Sequence, residues 1–280
     1  MTQSSTNTNN RKKAPSANLY TRAEAIKKLH LPKSTFHDYV TMGKIRKIVP
    51  PGKKEGYYDK KEIDELSNAM QLFILQYTSE TSKFSVATEG DIAGIYDVIA
   101  SLWGRAVSIP IELRKSWYQK NPFIDYVVKQ QDIIVGYLNI QPFKPDTLKL
   151  MMEGKKRGWE IKPDDIYTFE PGNSYDCFIG LAVRQDIPNH KTYGMRLIMG
   201  FYHVLADFAH RGIKIRKLCA TSDRPDGMKL CEDLGFIKYP PAEGSTFNRY
   251  ELDLETSEAM FAKKYQEAIK EHETTNPEAK

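Results

Sequence analysis

Cys177 to Val183 reads Cys-Phe-Ile-Gly-Leu-Ala-Val, an uncharged apolar run of strand length. After a polar loop, Tyr193 to Arg211 places apolar residues at the three- and four-residue spacing of a long amphipathic helix. A strand that apolar, followed by such a helix, needs a sheet with helices packed on it. The expected fold class is α+β: a mixed, mainly antiparallel sheet flanked by helices, with a small, mainly α N-terminal domain. A chain of 280 residues accommodates two such domains. Its 40% hydrophobic and 28% charged residues exclude collagenous, low-complexity and membrane compositions.

The charge is unevenly placed. Residues 1–80 carry 14 Lys and Arg against 8 Asp and Glu, so the whole basic excess sits there. Residues 1–17 lack apolar periodicity and read as a disordered basic tail. No run reaches the ~18 apolar residues of a spanning helix. Arg11-Lys12-Lys13 has no apolar stretch behind it, so neither a membrane role nor a secretory signal is expected, and a cytoplasmic location is. Cys177, Cys219 and Cys231 are odd in number and without paired spacing, which suggests reduced thiols and no metal site.

From Asn18 the pattern becomes structured. Thr21 and Glu24 form a capping box ahead of Ala25, Ile26 and Leu29, and Pro32 ends that helix and opens a second, which stops at Gly43. Ile45–Val49 and Tyr57-Tyr58 read as the arms of a basic-tipped hairpin. Asp59 caps a third helix through Ile63, Leu66, Met70, Phe73 and Ile74, reaching about Tyr77 and connecting two domains. Helix, turn, helix, basic hairpin, helix is a winged helix-turn-helix layout over 18–78. Its second helix presents Lys33, Ser34, Thr35 and His37 near an N-terminus that favours phosphate, with Arg46 in the hairpin and Lys53 and Lys54 at its tip. The segment "YTRAEAIKKLHLPKSTFHDYVTMGKI" followed by "YYDKKEIDEL" resembles the MerR and excisionase-type winged-helix family. That resemblance implies DNA as a partner and binding as a homodimer or beside other proteins. Phe36, Tyr39 and Tyr57 are expected in its core.

The larger domain, 83–254, runs strand, two helices, an antiparallel strand pair around Gln130-Gln131-Asp132, an irregular charged segment 144–170, then the apolar strand, long helix, strand, short helix and closing strand. A charged helix follows within 255–280. "FIGLAV" followed by "KTYGMRLIMG", and "KLCATSDRPDGMKLCEDLGFIKY" further on, resemble the GNAT acetyltransferase superfamily. The resemblance implies acetyl-CoA as cosubstrate and acyl transfer to an amine, on a small molecule or a protein. Carried over residue by residue, Leu181, Ala182 and Val183 would hold the pantetheine arm. Lys191, Thr192, Tyr193, Gly194, Met195 and Arg196 would form the pyrophosphate loop. Gly194 matches the family; Lys191 replaces Gln or Arg, and Arg196 stands where a small residue is usual. Cys231 occupies the position of a Tyr that serves as acid in many members.

Acetyl transfer from a thioester needs a base for the amine, donors for the oxyanion and an acid for the departing thiolate. Glu170 and Asp176, flanking the start of the apolar strand, are the candidate bases; Cys231, Tyr193 and Tyr239 are candidate acids. Two functions fit: an acetyl-CoA-dependent N-acetyltransferase coupled to a DNA-binding module, or a DNA-binding regulator whose catalytically degenerate domain senses acyl-CoA or dimerises. The Arg196 and Cys231 departures favour the second, and Gly194 is compatible with both.

Overall fold

The structure is a computed structural model that describes residues 18–29, 31–52, 55–77 and 82–275. The expected tail at 1–17, and Lys53 and Lys54, lie outside the described residues. The chain divides into two compact units, Met1–Gln76 and Tyr77–Lys280.

The first unit contains β1 (Leu19–Thr21), α1 (Arg22–Leu29), α2 (Lys33–Thr41), β2 (Tyr57–Asp59) and α3 (Lys60–Tyr77). The capping box forms as its spacing requires. The Glu24 carboxylate accepts from the Thr21 N–H at 2.7 Å, and the Glu24 N–H donates to Thr21 Oγ1 at 3.3 Å. Asp59 caps α3 by accepting from the Glu62 N–H at 3.1 Å. Ala25, Leu29, Phe36, Ile45, Tyr58 and Ile63 form the core, with Phe36 edge-on to Tyr58 at 5.0 Å. The hairpin differs from expectation. Ile48 and Tyr57 make a single bridge, and the return strand pairs with β1, Tyr20 opposite Tyr58. Pro50 and Pro51 lack the N–H groups a longer ladder would need.

The second unit contains β3 (Ser82–Val86), α4 (Ile92–Trp103), α5 (Ile111–Lys120), β4 (Asp125–Gln130), β5 (Ile133–Gln141) and α6 (Pro145–Met152). It continues with β6 (Ser174–Val183), α7 (His190–His210), β7 (Lys214–Ser222), α8 (Pro225–Asp233), β8 (Ile237–Tyr239), β9 (Asn248–Asp253) and α9 (Met260–Thr275). The sheet runs β3-β4-β5-β6-β7-β9-β8, and β6–β7 is its one parallel pair among the described residues. The mixed, mainly antiparallel sheet flanked by helices is therefore present. Period-2 alternation divides its side chains between two layers. Leu138 and Ile140 share a core with Leu197, Phe201 and Phe208 of α7, while Val127, Tyr137 and Ala182 pack with Ile95, Val98 and Ile99 of α4.

α7 starts at His190, three residues before the expected start, so Lys191 and Thr192 belong to its first turn. The 144–170 segment is firmly docked. Trp117 Nε1–H donates to the Ile161 carbonyl at 3.0 Å, Asn121 Nδ2 to the Tyr167 carbonyl at 2.9 Å, and Thr168 Oγ1 to the Lys120 carbonyl at 3.1 Å.

Glycines on α7 differ in what they do. A Cβ at Gly200 would lie 2.4 Å from the Phe84 ring, whereas one at Gly194 would meet only Val183 Cγ2, at 3.8 Å. Close helix–sheet packing therefore needs glycine at 200 and not at 194. Gly200→Ala should cost about 1–3 kcal/mol by forcing Phe84 off Tyr126, on which it stacks at 5.8 Å. Urea unfolding checks this; a neutral Gly200→Ala would show that Phe84 moves freely.

Candidate functional site

β6 is ten residues long, but its two neighbours cover different stretches of it. It pairs with β5 from Phe178 to Val183, and with β7 only from Ser174 to Phe178, whose partner is Cys219. From Ile179 to Val183 the strand has a neighbour on the β5 side only. A register shift at Tyr175/Asp176 sits just before the parting, and such irregularities bend and twist a strand out of line with its neighbour. β6 and β7 thus form a fork opening from Phe178 and Cys219 toward Val183, and among the described residues the backbone groups along the β6 wall have no strand on the β7 side, the Val183 carbonyl accepting instead from Gln185 Nε2 at 3.2 Å. Those groups seek a partner.

After six intervening residues, the first turn of the 21-residue α7 begins. Its cap, Asn189, is left-handed at φ 62°, and among the described residues no side chain caps the turn. The free N–H groups of a helix this long carry partial positive charge and favour an anion. Lys191 is exposed there, Thr192 is half-buried, and the space beside Gly194 is open. Leu181, Ala182, Val183, Lys191, Thr192 and Gly194 are accordingly gathered along and beyond the fork. Tyr193 is 4% exposed and packed in the core, so its hydroxyl is no surface acid. Met195 and Arg196 are half-buried on the same helix. Asp186, in the loop ahead of it, pairs with Arg184 at 2.6 Å.

The candidate acid and base residues fall elsewhere. Glu170 is exposed in the loop before β6 and accepts from Asn173 Nδ2 at 3.3 Å. Asp176 lies on the paired stretch of β6, with both carboxylate oxygens held by Arg216 at 3.0 and 2.8 Å. At ~3.3 Å per residue it stands about 7 Å along the strand from Phe178. Tyr239 is 39% exposed on β8, the sheet edge, with β9 between it and β7. Cys231 is half-buried in α8, where burial, with Glu232 adding to it, pushes the thiol up to about 12. Its side chain packs against the core of the second unit.

Two features escape a reading of the sequence. Tyr250 of β9 is 0% exposed, stands opposite Ala220, the first β7 residue past the fork, and its hydroxyl has no hydrogen-bond partner among the described residues. Burial, the Cys231 thiol and Glu232 all raise its pKa, so it stays protonated at neutral pH. The second is a buried polar row. Arg114 Nη1 donates to both Asp125 oxygens at 2.9 and 3.0 Å, and Asn139 Nδ2 donates to Asp125 Oδ1 at 2.7 Å. The guanidinium lies 5.7 Å from the Trp117 ring centroid and 5.4 Å from that of Tyr137. Gln141 continues the row on β5. Among the described residues no group of three or more His, Cys, Asp or Glu is placed to hold a metal ion.

In the first unit, Lys33, Ser34 and His37 are exposed and Thr35 half-buried on α2, whose start at Pro32 has no side-chain cap. A cavity of about 550 Å³ lies beside them, lined among others by Arg22, His37, Lys47, Tyr57 and Tyr58. Arg46 is engaged with Glu62 at 2.8 Å.

No protein-family model matches the chain, and no curated protein matches it. Among solved structures it is similar to an N-acetyltransferase from Staphylococcus aureus Mu50, at 14% identity over 61% of this chain and 98% of that one, with a TM-score of 0.39. It is also similar to the loading GNATL domain of CurA from Lyngbya majuscula, at 13% identity over 61% and 97%, with a TM-score of 0.44. A third is the GphF GNAT-like decarboxylase in complex with isobutyryl-CoA, at 15% identity over 61% and 98%, with a TM-score of 0.42.

Proposed function

We propose that the second unit binds acetyl-CoA in the β6–β7 fork and transfers its acetyl group to an amine. The parting of β6 from β7 after Phe178, followed six residues beyond Val183 by an α7 start without a side-chain cap among the described residues, carries this reading. An extended pantetheine arm carries amides that can take the ladder places left open along Ile179–Val183. The pyrophosphate then reaches the α7 N–H groups, Lys191 and the open space at Gly194, and the thioester comes to lie at the closed end of the fork. Attack by a neutral amine forms the C–N bond and breaks the C–S bond; the thiolate takes the proton of the Tyr250 hydroxyl, and the proton lost from the amine nitrogen as the amide forms restores that hydroxyl by way of solvent. Mixing acetyl-CoA with a panel of amines should release free thiol in an amine-dependent manner. Tyr250→Phe should lower turnover about 100-fold or more with little change in acetyl-CoA affinity. Tight cofactor binding without thiol release for any amine would leave a sensor of acyl-CoA instead.

The first unit supports a second activity, DNA binding. The observation that favours it is the uncapped, exposed start of α2 beside a cavity lined by Arg22, His37 and Lys47. Affinity for duplex DNA should fall steeply with salt, because each phosphate neutralised by Lys or Arg releases counterions. Charge reversal at Lys33, Lys53 and Lys54 should weaken binding and flatten the salt slope by about one unit per lost contact. Salt-insensitive or absent binding would exclude DNA as the partner.

A further inference from the structure

Tyr137, Asn139 and Gln141 lie on one face of β5, directly opposite Ala182, Gly180 and Phe178 of β6. Side chains opposite one another in an antiparallel pair share a face, at ~5 Å, and diagonal neighbours lie ~7–8 Å apart. The amide hydrogens of Asn139 are both employed, donating to Asp125 and to the Ile124 carbonyl at 3.3 Å. Those of Gln141 are not. It is 5% exposed, and its Nε2 has no hydrogen-bond partner among the described residues. Apart from Asn139, whose amide hydrogens are both engaged, its neighbours are apolar: Phe178 opposite it, and Phe143, whose ring stands 6.0 Å from that of Phe178. A buried amide donor in apolar company is unfavourable unless something supplies an oxygen.

Its position says where the oxygen comes from. Phe178 is the last β6 residue paired with β7, so Gln141 is registered with the closed end of the fork. Gly180, diagonal to it and just inside the fork, carries no side chain to stand between them.

We propose that Gln141 is an acyl-recognition residue, its Nε2–H donating to the carbonyl oxygen of the thioester held at the closed end of the fork. This rests on the reading of the fork as the coenzyme A site. A donor placed there polarises the carbonyl and makes the site prefer an acyl thioester to free coenzyme A.

The test is calorimetric titration of acetyl-CoA and of free coenzyme A into the full chain and into Gln141→Leu, together with the carbonyl ¹³C resonance of bound [1-¹³C]acetyl-CoA. The unmodified chain should prefer acetyl-CoA by about fivefold or more, as one hydrogen bond supplies. Gln141→Leu should bind both equally, with coenzyme A affinity unchanged and the carbonyl resonance back near its free position. Gly180→Ala is the companion variant: its methyl meets Tyr137 Oη at 3.7 Å and Asn139 Cβ at 4.0 Å, ordinary contacts that leave folding intact, and it should also reduce the preference. Retained preference and an unmoved resonance in both variants would overturn the proposal, as would equal binding of the two ligands by the unmodified chain. Absence of binding by either ligand would instead defeat the fork reading, and this proposal with it.

Discussion

Asp125→Ala should destabilise the second unit by about 3–5 kcal/mol, a large share of the whole stability of an ordinary domain. The reason is what the substitution leaves behind. Arg114 is 2% exposed, and Asp125 is the partner of its Nη1, so truncation strands a buried guanidinium between Trp117 and Tyr137. Burial works against the charged form of Arg114, and Asp125 and Tyr137 together more than offset it, leaving its pKa above the usual value. A guanidinium keeps its proton in proteins, so the cation cannot escape the cost by becoming neutral. Replacing both, as Arg114→Met with Asp125→Leu, should recover most of the loss, because apolar residues of similar volume require no desolvation of charge. Urea unfolding followed by tryptophan fluorescence measures both; a loss below about 1 kcal/mol in Asp125→Ala would mean that water reaches the pair.

Gly194→Glu should weaken acetyl-CoA binding by more than about 100-fold while the chain stays folded. Folding survives because a Cβ there meets only Val183 Cγ2, at 3.8 Å. Binding fails because the carboxylate enters the first turns of α7, where the pyrophosphate would sit. Two like charges ~4 Å apart at an effective dielectric of about 20 repel by roughly 4 kcal/mol, and about 2.7 kcal/mol already corresponds to 100-fold. Gly194→Ala adds bulk without charge and should cost far less. Equal losses in the two variants would assign the effect to shape and not to phosphate.

Much of the architecture is legible in the sequence because local signals are strong and agree. Thr21 and Glu24 are spaced as a capping box and make one; Gly43 and Gly235 stop helices with φ of 71° and 88°. The run Cys177–Val183 lies within a strand, and the long helix follows it. The hairpin is not legible, because alternation in Ile45–Val49 does not reveal that β1, three residues near Asn18, competes for the return strand. β8 is three exposed residues at the sheet edge and has no apolar pattern to betray it.

The site is less legible, for a physical reason. Proximity to the fork depends on which strand stretches pair, and pairing is not written in any one segment. Asp176 is a reasonable base from its place beside the apolar strand, yet Arg216, 40 residues on, occupies both its oxygens. Asn139 and Gln141 alternate with Leu138 and Ile140, a pattern that serves equally for a wet face and for a buried polar row. Tyr250 reads as an ordinary strand aromatic until its hydroxyl is found buried and without a partner among the described residues.

If the open wall of β6 receives the pantetheine arm and the start of α7 receives the phosphates, backbone hydrogen exchange with and without acetyl-CoA reads both contacts segment by segment. Exchange should slow at Ile179–Val183 and in the first turns of α7, with little change along Ser174–Phe178, where β6 already has β7 beside it. Acetyl-CoA binding that protects other segments and leaves Ile179–Val183 and His190–Arg196 unchanged would place the cofactor outside the fork.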